Sequence, residues 1–185
     1  AILFKTDSPM NYIVLAGNGM EKIPKGSLEG NNAFMLEALD LSYNYLTGLP
    51  VDFSAQKLPY LTGIDLSYNR FSEFPTEPLS IAKLSRFFIR YQRDKDGNRT
   101  LKEWPEGIMS QAQCPSLNFL CMGGNDLRKI EETLSPNVFY FEIADNPNIS
   151  INISSVCEYI RAGYYMLVYD VTQDIRGCDA IKLER

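Results

Sequence analysis

The sequence predicts a solenoid of parallel strands, and three observations carry that prediction. An apolar pattern recurs along most of the chain, each copy alternates apolar and variable residues over a short stretch, and an asparagine follows at a fixed offset. The clearest copy runs Leu36, Leu39, Leu41, Asn44, Leu46, Leu49, Pro50. It recurs as Leu61, Ile64, Leu66, Asn69, Phe71, Phe74, Pro75, and before that as Met10, Ile13, Leu15, Asn18, Met20, Ile23, Pro24. Two later copies read Leu117, Leu120, Met122, Asn125, Leu127, Ile130 and Val138, Phe141, Ile143, Asn146. Alternation is strand periodicity, so Leu39 and Leu41 face one side while Ala38, Asp40 and Ser42 face the other. No single copy encloses its apolar set, so copies must stack and share one core.

The pattern LxxLxLxxNxLxxLP resembles that of the leucine-rich-repeat family over residues 10–150. The resemblance implies an α/β solenoid: a horseshoe with a parallel sheet on its concave face, about six repeats and a C-terminal helix-strand cap over residues 151–185. Residues 1–9, beginning at Ala1 without Met, read as the end of a preceding repeat or cap, as in a processed chain or the C-terminal portion of a longer one.

Each element has a reason. Where the chain leaves its strand, backbone groups lose their ladder partners and need substitutes. An inward asparagine offers both an amide donor and a carbonyl acceptor, so Asn18, Asn44, Asn69, Asn125 and Asn146 are expected to form a structural ladder. Leu28, Phe53, Leu79 and Ile108 follow as the inner spine of the return segments. First positions fall at Met10, Leu36, Leu61, Leu84, Leu117 and Val138, giving repeat lengths of 26, 25, 23, 33 and 21. The long repeat has Gln92 at the asparagine position and an insertion at 93–100. Its acidic residues partly match the offsets of an EF-hand calcium loop, but Gln92 occupies the first ligand position and Arg99 the eighth, so a polar Asp-Gly turn without metal is expected.

At the C-terminal end, Ser154–Arg161 reads as a short capped helix and Tyr165–Tyr169 as a final strand, resembling a C-terminal leucine-rich-repeat cap. A disulfide between Cys157 and Cys178 would staple these elements, contributing about 3 kcal/mol in the loop-entropy model. Two buried free thiols are the alternative. Cys121 lies between Leu120 and Met122, hence on the outward side of its strand.

Composition removes several functions. Lys plus Arg total 18 against 23 Asp plus Glu, a net charge of −5, which argues against nucleic acid. No run of about twenty apolar residues is present, so nothing reads as membrane-spanning. Histidine is absent, removing the commonest general base and metal ligand. No cofactor is implied, and no enzyme is expected: Asp40 and Asp65 form a carboxylate pair, but on an open face.

The resemblance places ligands against the outward strand positions. Here Asp40, Asp65, Arg86, Phe88, Arg90, Phe119 and Tyr140 fall on that face, with Tyr43, Tyr68 and Arg70 just beyond the strands. Aromatic and Arg residues are the material of protein-binding hot spots. The expectation is a non-enzymatic module for a protein or peptide partner, with carbohydrate recognition or targeting for a surface enzyme system as the alternative. Similarity to bacterial cell-surface members of the family implies an extracellular or cell-surface location.

Overall fold

The computed structural model describes residues 10–28, 33–110 and 112–178; the segments read as a preceding unit (1–9) and as the end of the cap (179–185) lie outside them. The strands run β1 (Tyr12–Val14), β2 (Ala38–Asp40), β3 (Gly63–Asp65), β4 (Arg86–Phe88), β5 (Phe119–Cys121), β6 (Lys129–Ile130), β7 (Tyr140–Glu142), β8 (Ser150–Asn152), β9 (Met166–Val168) and β10 (Asp174–Arg176). One α-helix, α1 (Cys157–Arg161), precedes β9. Among the described residues the return segments otherwise hold turns and short 3-10 helices at Ala33–Met35, Glu77–Ser80 and Ser154–Val156, so the α in the expected α/β class is slight.

Seven strands pair in parallel in the order β1-β2-β3-β4-β5-β7-β9. Register puts Ile13, Leu39, Ile64, Phe87, Leu120, Phe141 and Leu167 in one inward row. The first six of these are buried, as are Leu28, Phe53, Leu79 and Ile108 of the return segments. The core is therefore one continuous column between sheet and return side, as the repeat pattern requires. A second parallel sheet, β10-β8-β6, joins the last return segments and has no counterpart in the sequence reading.

The asparagines have an observable geometry. Asn69 Nδ2 donates to the carbonyls of Leu41 in the preceding repeat and Leu66 in its own, at 3.0 Å each, while its Oδ1 accepts from Leu46 N at 2.9 Å. Asn44, Asn125 and Asn146 likewise bridge their own repeat to the one before. Asn18 differs. It is exposed, and among the described residues its side-chain amide donates to the Ala16 carbonyl of its own turn. Two glutamines complete the row: Gln92 donates to Leu66 O and accepts from Phe71 N, and Gln173 donates to Ile143 O and Asn146 O.

Cys157 and Cys178 are joined in a disulfide, with Cα atoms 5.9 Å apart. It ties α1 to the end of β10. Cys121 corrects a simple reading of alternation: its side chain lies on the outward side, yet it is fully buried.

Candidate functional site

The outward face is built from three rows that strand register aligns. The first holds Tyr12, Ala38, Gly63, Arg86, Phe119, Tyr140 and Met166; the second holds Val14, Asp40, Asp65, Phe88, Cys121, Glu142 and Val168. Beyond the strands come Ser42, Ser67, Arg90 and Gly123, whose carbonyls continue the ladder by accepting from the amides of Gly17, Tyr43, Tyr68 and Tyr91.

The structure sorts the expected site residues into separate groups. Asp40 and Asp65 are direct register partners. Arg86 is exposed beside them. Arg90 reaches across β5 to form an ion pair with Glu142 and passes its guanidinium over Phe88, 5.2 Å from the ring centroid. That bridge covers Cys121. Desolvation pushes the Cys121 thiol up to about 12; the Arg90 charge acts against this and Glu142 adds to it. A free thiol on this face is thus hidden and protonated near neutral pH. Phe119 stacks with Tyr140, centroids 5.4 Å apart, and meets Phe139 edge-on at 5.1 Å. Arg70 turns away from the sheet and lies over the Tyr45 ring at 4.1 Å.

Tyr43 and Tyr68 occupy an unusual backbone. The residue before each ladder amide from Asn18 to Asn146 is left-handed: Tyr43 at φ 55°, Tyr68 at 58°, Tyr91 at 53°, Asp145 at 55°, with Gly17 and Gly124 in the equivalent positions. A non-glycine residue there costs on the order of 1–2 kcal/mol. The three tyrosines stack, Tyr43 on Tyr68 at 4.3 Å and Tyr68 on Tyr91 at 4.9 Å, with planes 7° and 14° apart. Packing between its neighbours desolvates the Tyr68 phenol and holds it above its ordinary value. The stack ends where Tyr91 lies over Gly124; a Cβ there would collide with the ring, which is why this copy carries glycine. Tyr91 was legible in principle, since Tyr91-Gln92 occupies the offset of Tyr43-Asn44 and Tyr68-Asn69.

The insertion at 93–100 is an Asp-Gly turn. Arg93 and Arg99 form an antiparallel bridge, and Asp94 Oδ1 accepts from the amides of Asp96 and Asn98 at 2.9 and 2.8 Å. Its arginines point inward along the solenoid: Arg93 donates to Gly124 O, and Arg99 donates to the carbonyls of Asn125 and Asp145 and pairs with the Asp145 carboxylate. The loop thereby ties the long repeat to the two that follow.

A depression of about 500 Å³ lies on the return side between Trp104 and Glu131. Its central carboxylate, Glu132, accepts from Trp104 Nε1 at 2.9 Å and from the amides of Gly107 and Met109 at 3.2 Å each. All of these donors belong to the preceding repeat, so Glu132 has a bracing role.

The Leucine Rich Repeat family profile matches residues 35–55. A leucine-rich repeat protein from Bacteroides thetaiotaomicron superposes with a TM-score of 0.92 at 52% identity, over 99% of this chain and 22% of that one. One from Bacteroides eggerthii gives 0.91 at 55% identity, over 98% of this chain and 30% of that one. Mouse Tsukushi is 25% identical over 162 residues, 76% of this chain and 45% of Tsukushi. The chain thus spans less than half the length of each of these proteins.

Proposed function

This chain belongs to the leucine-rich-repeat family, and from that premise we propose that its concave face docks a protein or peptide partner outside the cytoplasm, without catalysis. One observation carries the reading: the Tyr43–Tyr68–Tyr91 stack. Three tyrosines in left-handed backbone cost on the order of 3–6 kcal/mol together. Two ring stacks return about 1–3 kcal/mol. Area burial and the avoided entropy cost of glycine offset more of it, yet left-handed backbone repeated at three non-glycine residues in successive copies remains an outlier. Outliers of this kind cluster at ligand-binding sites, and that is what supports the reading.

The stack also suits recognition. Its rings are held before any partner arrives, so little side-chain freedom is lost on docking. Phe88, Phe119 and Tyr140 add apolar area on rigid strands, and Arg86 adds a charged donor fork. A sugar-stacking role finds less support, because Tyr68 has both ring faces covered by its neighbours and presents only its edge. The Cys157–Cys178 disulfide supports an oxidising compartment, at the cell surface or secreted.

The test uses a partner captured from extracellular or surface proteins. Phe88→Ala and Tyr68→Ala should each weaken its affinity by more than about 1 kcal/mol, measured calorimetrically well below the unfolding transition of every variant. Gln56→Ala, exposed on a return segment, should leave it unchanged. Loss of affinity in the return-side variant alone would contradict the docking face. Arg90→Ala is a poorer probe, since it strands Glu142 and uncovers Cys121.

A further inference from the structure

Along the first outward row Tyr12, Ala38, Gly63 and Arg86 stand side by side on β1 to β4. Ala38 is small, and the Arg86 side chain leans over buried Gly63, its Nε 3.7 Å from where a Cβ would stand, so the slot between Tyr12 and Arg86 is roughly one strand spacing wide, ~5 Å. A depression of about 210 Å³ occupies it, floored by Ala38 and Gly63 and walled by Tyr12, Arg86 and Phe88. It has room for one long side chain.

Asp40 and Asp65 border the slot. Asp40 Oδ1 accepts from Ser42 N at 2.9 Å and Ser42 Oγ at 2.6 Å, and Asp65 Oδ1 accepts from Ser67 N at 2.8 Å. These bonds fix both carboxylates. Among the described residues neither Oδ2 has a donor and neither carboxylate has an ion-pair partner within 4 Å. Arg90, close enough to feel Asp65, is paired with Glu142 instead. Like charges directly opposite one another on neighbouring strands destabilise a sheet. This pair is therefore held together at a cost that a bound cation would relieve.

Building on the docking reading above, we propose that the slot receives one lysine or arginine side chain of the protein partner. Its cationic head sits between the two free Oδ2 atoms. Its aliphatic stem lies against the rings of Tyr12 and Phe88, the usual placement for a long cationic side chain on apolar surface. Arg86 on the opposite wall disfavours a second cation and favours an acidic residue beside the first, so the partner's contact carries both signs.

Asp40→Asn and Asp65→Asn retain the Oδ1 acceptor for the serine amides while removing the charges. The double variant should melt at or above the parent temperature, because a like-charge contact is gone; a lower melting temperature would overturn the premise. The binding probe is Nα-acetyl-lysine amide, titrated into isotopically labelled protein with Nα-acetyl-glutamine amide as the neutral control. Lysine should move the amide resonances of Asp40, Gly63 and Asp65, less so as salt is raised. In the double variant its apparent affinity should fall roughly tenfold or more, about 1.4 kcal/mol. Equal binding by parent and double variant, or shifts confined to other regions, would refute the slot whatever becomes of the docking face. Should the slot behave as stated while Phe88→Ala and Tyr68→Ala leave partner affinity intact, the docking reading fails separately.

Discussion

Asn69→Ala is expected to lower the melting temperature by roughly 6–12 °C, a loss of about 3 kcal/mol in a domain of this size. The residue sits fully inside the solenoid at 2% exposure. Removing its amide leaves Leu46 N without a partner, in a place water does not reach, and takes one of two donors from the Leu41 and Leu66 carbonyls, which keep Asn44 Nδ2 and Gln92 Nε2. The orphaned amide costs about 1–3 kcal/mol, and each lost carbonyl bond about 0.5–1.5 kcal/mol. The damage falls on the junction between two repeats, and a stack held by nearest-neighbour contacts is weakest at its worst junction. Asn18→Ala is the matched control. It removes the same chemical group from an exposed turn and should change stability little. Thermal unfolding followed by circular dichroism distinguishes them; equal melting temperatures for both variants would show that the buried amide does not carry the junction.

The second large effect is expected at the other end of the chain. Replacing Cys157 and Cys178 together by serine should cost about 3 kcal/mol, since the pair closes a loop across 21 residues. The substitution is chemically mild at Cys157, because a serine hydroxyl there finds the Gly177 and Ile153 carbonyls that Sγ already approaches at 3.1 and 3.4 Å. What is lost is the tie between α1 and β10, and with it the cover over the terminal strand β9. Calorimetry with and without reductant should therefore show the parent converging on the variant once reduced. Alkylation of the native parent should label no cysteine near neutral pH, because Cys114 and Cys121 are buried and desolvation pushes their thiols up to about 11 and 12. Two labelled thiols at positions 157 and 178, or a reduced protein as stable as the oxidised one, would contradict the staple.

How far such effects could be foreseen differs from residue to residue. The inward row Ile13, Leu39, Ile64, Phe87, Leu120, Phe141 was legible because alternation has period two and a repeated offset leaves no freedom of register. The spine residues Leu28, Phe53, Leu79 and Ile108 were legible from their distance to each Pro. For Asn18 the comparison stops short, because the turn before it falls in residues 1–9, outside the described residues, whereas Asn44 reaches its preceding turn at the Leu15 carbonyl. Gln92 was placed at the asparagine position without a role in the ladder, and Gln173 was missed, because a longer side chain can deliver the same donor and acceptor from a differently shaped turn. The second sheet escaped too: β6, β8 and β10 are two or three residues each, and only the shorter return segments of the last repeats bring them alongside. On the candidate face, alternation located Cys121 on the outward side but was blind to the Arg90–Glu142 bridge above it, which depends on two long side chains meeting across a third strand. Tyrosine stacking was hidden for a related reason, since left-handed backbone at Tyr43, Tyr68 and Tyr91 turns their rings into one file along the solenoid.

Oxidative footprinting of side chains tests the docking face most directly. With the captured partner bound, hydroxyl-radical labelling of Tyr43, Tyr68 and Phe88 should fall sharply, while Val51 and Tyr60, exposed on the return segments, should react as they do in the free chain. Protection of Val51 and Tyr60 with undiminished labelling of Tyr43, Tyr68 and Phe88 would place the partner on the opposite side and contradict the account.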